Sequence, residues 1–289
     1  MRNPLKYNTR KELFLITMAL PSIAGVMLFF ILPFAVSLHM ALIDNPLGRN
    51  FVGLEHFTRT LDNAAFRLGL RNTLLFMVFS VPVNMAFSLL AAMLLQSVKR
   101  TTGVILSMLL LLPLVVPSGS LVHFWRSVFG VNGFINNLFF SYEPVRWLNS
   151  DYSLWVIVFI FIWKNVGINI VLFLAGINMI PKDYYEYAMI EGAGSFRRFK
   201  SITLTYLIPT FFMAFLMSIV MSFRAFREIF LLTGAHPHRS IYMLQHYMNN
   251  MFAALNYQRL AAASYIMTAG LVVIVLILFY IQRRVLNYD

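Results

Sequence analysis

The chain has 289 residues, 60% hydrophobic and only 12% charged, with 28 Phe, no Cys and a formal net charge of +12. Soluble domains carry about twice that charged fraction and about 45–50% apolar residues, so a lipid bilayer is the expected surrounding. The same numbers exclude intrinsic disorder, a disulfide scaffold and thiolate chemistry. The basicity does not point to nucleic acid either. Its charges are sparse between long apolar runs, which is the pattern of a positive membrane face.

Crossing a bilayer as a helix takes roughly 20 mostly apolar residues. Six runs qualify, at about 13–40, 72–97, 104–125, 154–180, 206–232 and 261–281. The expected fold is an all-α polytopic membrane protein, with residues 1–12 as a cytoplasmic N-terminal segment and 13–289 as the membrane domain. The first run is too long for a signal-peptide core and lacks a small-residue cleavage site, so it reads as a retained span. Six spans put both termini on one side. Twelve Lys and Arg residues (Arg2, Lys6, Arg10, Lys11, Lys99, Arg100, Lys182, Arg197, Arg198, Lys200, Arg283 and Arg284) crowd one set of span ends. Eight, from Arg49 to Arg259, are spread over longer loops on the other. The denser face is expected to be cytoplasmic, which places both termini inside.

In chain order, Leu54, Phe57, Leu61, Ala64 and Leu68 recur at helical spacing and predict an interfacial helix after Gly53. Pro21, Pro33, Pro82, Pro113 and Pro117 each remove a backbone donor, and the last two predict a kinked third span. The aromatic stretch from Gly133 to Trp147 suits the headgroup layer.

Polar side chains inside spans mark candidate substrate contacts, because they are costly unless they face protein or water. Asn84 lies in span two, and Trp163, Lys164, Asn165 and Asn169 lie in span four. A sugar site needs hydrogen-bonding groups beside an aromatic face, and this set holds both. One helix cannot point Trp163, Lys164 and Asn165 the same way, so at most two of them can line a cavity. Span five carries Arg224, Arg227 and Glu228; the first and last are four apart and predict an ion pair along the helix, with a gate or an anionic-sugar contact as the sharper alternative for Arg227. His236, His238 and His246 share an outer loop, but no cysteine or suitably spaced carboxylate completes a metal site.

The inner connection at about 181–203 is unusually organised. Pro181 ends span four. Asp183 is expected to cap a short helix with Glu186 reaching back, Gly192 and Gly194 to end it at positive φ, and Ser195 to cap a second helix. Tyr184, Tyr185, Ala188 and Met189 would form an apolar face, and Glu186 and Glu191 would offer acceptors to a basic partner.

Glu186, Ala188, Gly192, Ile202 and Leu204 also reproduce the spacing of the EAA loop of bacterial ABC importer permeases, with Tyr187 in place of the first alanine and Thr205 in place of the closing proline. Further matches are the stretch Phe51 to Phe57, Leu112 to Pro117 with Phe124 and Trp125, Leu174 to Pro181, and Leu232-Thr233-Gly234. With them the chain resembles the carbohydrate-uptake branch, of the maltose and glycerol-phosphate transporter type. The resemblance implies a type I importer fold of six spans and a sugar-importing permease subunit of the bacterial cytoplasmic membrane. It implies a second permease subunit, two cytoplasmic ATPase subunits that bind ATP and Mg, and an extracytoplasmic sugar-binding protein. Tyr185, Glu186, Ala188, Met189, Glu191, Gly192 and Gly194 would engage the ATPase. In keeping with this the chain has no phosphate-binding Gly-x-x-x-x-Gly-Lys-Ser/Thr loop, no His-Glu-x-x-His and no Gly-x-Ser-x-Gly. A catalytic role or a cofactor is therefore not expected in this chain. The rival is an ion-coupled secondary transporter of a polar solute, for which Glu228 is the one intramembrane carboxylate.

Overall fold

The computed structural model describes residues 4–45, 48 and 50–286, and within these the protein is helical. Part of the expected segment 1–12, together with Arg49 and Asp289, lies outside the described residues. The chain divides into two compact units, one of residues 1–63 and 251–269 and one of residues 64–250 and 270–289.

In the first unit, α1 (Pro4–Val26) continues through a π-turn at Met27–Ile31 into α2 (Leu32–Leu42). Pro33 cannot donate to the preceding turn and its ring crowds it, so the backbone widens there and then resumes. Within the stretch Phe14–Leu42 the most apolar 18-residue window has a mean hydropathy of 2.4 and no residue buried within the chain; only towards its end is Ala41 buried. It therefore has the surface of a helix made for lipid or another subunit.

The helix expected over 54–68 is divided. α3 (Glu55–Leu61) is a separate short helix, and Ala64 and Leu68 belong to the next one. Its stripe is also not uniformly apolar: His56 is buried with Nε2 3.0 Å from the Ile43 carbonyl oxygen, while Leu54 and Leu61 face outward. Phe57 packs on the small patch of Ala41, Ala261 and Ala262. α3 is thus pinned by a buried imidazole rather than floating on one apolar face.

The second unit is built on α4 (Ala64–Ser97), which starts before the expected 72–97 span and holds Pro82 inside it. It is followed by α5 (Arg100–Val115), α6 (Ser118–Phe129), α7 (Phe134–Phe139) and α8 (Ser153–Asn178). The span expected at 104–125 is not one helix but α5 and α6, bent by 97°. Val116 (ψ 129°) precedes Pro117 (ψ 137°), and two extended residues in sequence turn a kink into a break.

α8 packs along α4 and α5 by small residues and shared hydrogen bonds, as membrane helices do. A Cβ on Gly167 would lie 2.2 Å from the Leu110 carbonyl oxygen, so only glycine permits this approach of α5 to α8. Ser88 donates to the Asn84 carbonyl at 2.7 Å and to the Val166 carbonyl at 3.1 Å. Between α7 and α8, the aromatic stretch 133–147 is folded around buried Asn136. Its amide nitrogen donates to the carbonyls of Val131 (2.9 Å) and Val145 (2.8 Å), and its oxygen accepts from the Trp147 indole at 2.9 Å.

Beyond α8 come α9 (Lys182–Ile190), α10 (Ser195–Arg198), a π-turn at Phe199–Thr203, α11 (Leu204–Tyr206), α12 (Ile208–Arg224) and α13 (Phe226–Thr233). α14 (Leu244–Ala253) and α15 (Tyr257–Leu286) complete the chain; α15 runs through residues of both units. Among the described residues, five helical stretches are long and apolar enough to cross a membrane, and α5 with α6 and α7 makes a sixth only if a bent pair counts as one span.

Candidate functional site

A cavity of about 660 Å³ opens in the second unit where the break between α5 and α6 faces α8 and the junction of α12 and α13. Each element contributes for a local reason. The extended Val116 and Pro117 leave Ser118 at the start of α6, pointing inward. α12 and α13 meet at Ala225, which keeps helical dihedrals (φ −59°, ψ −22°) and donates to the Met221 carbonyl at 3.1 Å, so Arg224, Arg227 and Glu228 follow one another along a nearly continuous helix. α13 is held to α6 by Arg126, whose guanidinium donates to the carbonyls of Leu231 (2.9 Å) and Leu232 (3.1 Å). Those carbonyls are at a helix C-terminus, where a cation is favoured.

The carboxylate of Glu228 pairs with the ammonium of Lys164 from α8 and accepts from the Ser118 hydroxyl at 2.8 Å. The Lys164 and Glu228 side chains are 15% and 12% exposed, so the pair is largely dry. It ties α6, α8 and α13 to one another across the cavity. Arg224, Arg227, Asn165 and Gln245 line the same cavity. The expected Arg224–Glu228 pair is not formed: Lys164, reaching across from α8, takes the carboxylate instead.

At the other end of the unit, α9 leaves the bundle and returns through a tight turn. Gly192 has φ +77°. Its N–H donates to the Met189 carbonyl at 3.0 Å, and that of Ala193 to the Ala188 carbonyl at 2.8 Å, which are the two bonds of a Schellman stop. Gly194 is not at positive φ; with φ −66° and ψ 165° it stands at the N-cap of α10. Pro181 occupies the N-cap of α9, so Asp183 sits inside the first turn without a capping bond and Glu186 has nothing to reach back to. Ser195 likewise falls inside α10, where its hydroxyl accepts from Arg198 at 3.3 Å.

The outward face of α9 differs from the expected one. Tyr185 turns inward, its hydroxyl 2.9 Å from that of Thr203, and Ala188 is half-buried. The Tyr184 ring lies 5.2 Å from that of Tyr206. Of the expected face Tyr184 and Met189 stay exposed, and Tyr187 and Ile190 join them, flanked by Glu186 and Glu191.

Residues 84–287 match the family described as binding-protein-dependent transport system inner membrane component. The chain belongs to this family of importer permeases. It is 34% identical to a trehalose/maltose transport system permease protein, MalF, of Thermococcus litoralis over 245 residues, covering 82% of each chain. It is 26% identical to the lactose transport system permease protein LacF of Rhizobium radiobacter, covering 91% of this chain and 92% of that one. It is similar in fold to a chain of a bacterial ABC transporter involved in import of the acidic polysaccharide alginate (TM-score 0.82, 22% identity, 98% of this chain and 99% of that one). The same transporter bound to a periplasmic protein carrying an alginate pentasaccharide gives a TM-score of 0.83 at 21% identity, over 98% of each chain. The protein is a multi-pass membrane permease of the sugar-importer kind.

Of the permease's candidate substrate contacts, Lys164, Asn165, Arg227 and Glu228 are brought together at the cavity. Three are not. Trp163 packs edge-on against Trp125 with centroids 5.0 Å apart and lies beside Phe124. Asn169 donates to the Ser218 hydroxyl at 2.7 Å, tying α8 to α12. Asn84 is 1% exposed in the packed face of α4, away from the cavity. Ser118, Arg224 and Gln245 are cavity residues that were not foreseen as such. Proline-broken spans often expose the first residue of the following helix, and that was the available signal for Ser118; Gln245 had none. The histidines serve the connection between α13 and α15: His246 on α14 accepts from the Met243 N–H at 3.0 Å through Nδ1, and His238 contacts Ser240 at 2.9 Å. With Glu228 committed to Lys164, the carboxylate on which an ion-coupled transporter would rest is already engaged.

Proposed function

We propose that this permease forms half of the translocation path of an ABC importer for an oligosaccharide. In this reading loop 181–203 is the element through which a separate ATPase drives it. The observation that carries the proposal is the excursion at α9: a short helix outside the bundle, stopped by Gly192, presents Tyr187, Met189 and Ile190 between two glutamates. An isolated nine-residue helix is marginal in water, so its order comes from its anchors. Those anchors are Tyr185 on Thr203 and Tyr184 on Tyr206, both on the segment that runs into α12. A displacement of α9 is therefore handed to α12 and, through Asn169 and Ser218, to α8. These two helices carry Lys164 and Arg224 to the cavity.

In this account ATP and Mg are bound by two cytoplasmic ATPase subunits, and an extracytoplasmic sugar-binding protein loads the outer mouth. A second permease chain of different sequence completes the path, and both termini face the cytoplasm of a bacterial cell. The relatives named for trehalose/maltose, lactose and arabinooligosaccharides support a saccharide cargo. Glu186→Ala and Gly192→Asp are expected to abolish sugar uptake while the subunit still inserts and assembles. A side chain at Gly192 must adopt φ +77°, which costs about 1–2 kcal/mol, enough to reshape a marginal helix stop. Unchanged sugar-stimulated ATP hydrolysis by both variants in the reconstituted complex would reject the proposal.

A further inference from the structure

The permease reading leaves open what kind of saccharide fits, and the cavity's charge narrows it. Glu228 is the one carboxylate among the lining residues, and it is already shared between Lys164 and Ser118. Arg224 and Arg227 line the same space, and among the described residues neither meets an acidic side chain. The site therefore carries two cationic charges beyond its internal pair. Cations at membrane depth are expensive and persist where they serve a ligand or a partner charge.

The donor and acceptor balance points the same way. A neutral sugar presents hydroxyls that both donate and accept, so a site for it needs acceptors as well as donors. Here the two guanidiniums and the Lys164 ammonium donate only, and Glu228 is engaged. The Asn165 and Gln245 amides supply the remaining side-chain acceptors. Trp163 is turned away into the Trp125 cluster, which leaves Phe161, Phe223 and Phe226 as the aromatic lining. Guanidinium groups match the two oxygens of a carboxylate or phosphate in a parallel fork, which a point charge cannot do. Arg224 and Arg227 are three residues apart on the helical stretch that passes through Ala225, so two such forks reach the cavity from one wall.

We propose that Arg224 and Arg227 form a subsite for an anionic group on the transported saccharide, the carboxylate of a uronic acid residue or a phosphate ester. The inference rests on the permease reading above and specifies its substrate class. Lys164 and Glu228 act as the internal counter-pair that keeps the arginines free for the ligand.

The test uses the whole transporter, with its partner permease and ATPase, in detergent and without the binding protein, whose own preference would mask that of the cavity. Binding of a galacturonate trisaccharide, its methyl ester, a hexose phosphate and maltotriose is measured by calorimetry. The galacturonate trisaccharide or the hexose phosphate should bind at least about tenfold more tightly than the uncharged sugars, as expected for charge-assisted hydrogen bonds. The preferred anion identifies carboxylate or phosphate as the natural group. Arg224→Gln and Arg227→Gln should each remove most of the preference, and Arg227→Lys should restore it only in part. Should these variants fail to assemble, phenylglyoxal labelling of the wild-type complex replaces them: an anionic sugar should protect Arg224 and Arg227 and the methyl ester should not. Equal binding of acid and ester, or labelling that no anionic sugar slows, overturns the proposal. Energy-driven uptake of only neutral sugars would overturn this subsite and leave the importer reading standing. Binding of the acid with no ATP-driven uptake of any sugar would do the reverse.

Discussion

Removing either member of the Lys164–Glu228 pair should destabilise the permease, unequally and non-additively. For a fully buried pair, loss of one partner costs about 3–5 kcal/mol, because a lone charge stays in low dielectric. Here the side chains are 15% and 12% exposed and border a cavity of about 660 Å³, so water reaches the survivor and the cost shrinks. Glu228→Leu leaves Lys164 with only the Ser118 hydroxyl at 3.4 Å, and should cost about 2 kcal/mol. Lys164→Met leaves Glu228 its 2.8 Å bond from Ser118 and should cost about 1 kcal/mol. The double variant has no stranded charge and should also stand about 1 kcal/mol below wild type, a coupling of about 2 kcal/mol. Apparent melting midpoints from fluorescence-detected size-exclusion chromatography of the intact complex give the order, at a few degrees per kcal/mol. Additive losses, with the double variant the least stable of the three, would refute a bridging role for the pair.

Two further predictions concern stability. Gly167→Ala must push α5 from α8, since its Cβ would sit 2.2 Å from the Leu110 carbonyl oxygen; overpacking of this kind costs about 1–3 kcal/mol and should lower the melting midpoint while Gly25→Ala, where the space is open, does not. His246, on α14 between two spans, has its pKa pushed down to about 4, chiefly by burial and further by His236. A folded pKa below the unfolded one means that its stabilising contribution is complete above pH 6.5 and is lost as pH falls towards about 4, so wild-type stability should fall across that window and His246→Gln should flatten the slope.

The helical class and the spans were legible because a run of some 20 apolar residues has few solutions in lipid. The stop at Gly192 was legible because a left-handed turn residue has a strong local signature. Other features depended on geometry that a local pattern does not carry. Pro117 marked where the third span bends but not that Val116 would turn extended as well, giving 97°. Asp183 and Ser195 had capping chemistry, yet Pro181 and Gly194 took the N-cap positions, two residues and one residue earlier respectively. The Arg224–Glu228 pairing rested on spacing along one helix; the true partner, Lys164, lies 64 residues away in sequence and is met only once α8 and α13 pack around the cavity. Gly167 carried no signal at all, because its need for a missing side chain arises from a different helix.

The central claim is that α9 is where an ATPase takes hold, and a cysteine-free chain allows a clean measurement of it. Ile190 is 83% exposed at the end of α9, whereas Phe159, 51% exposed on α8, lies on a membrane-spanning face. With single cysteines at these positions and a short thiol-to-amine cross-linker applied to membranes holding the whole transporter, Ile190→Cys should join the permease to the ATPase subunit and Phe159→Cys should not. An ATPase that co-purifies with the permease but is never captured from Ile190→Cys, nor from cysteines at Tyr187 or Met189, would contradict the account.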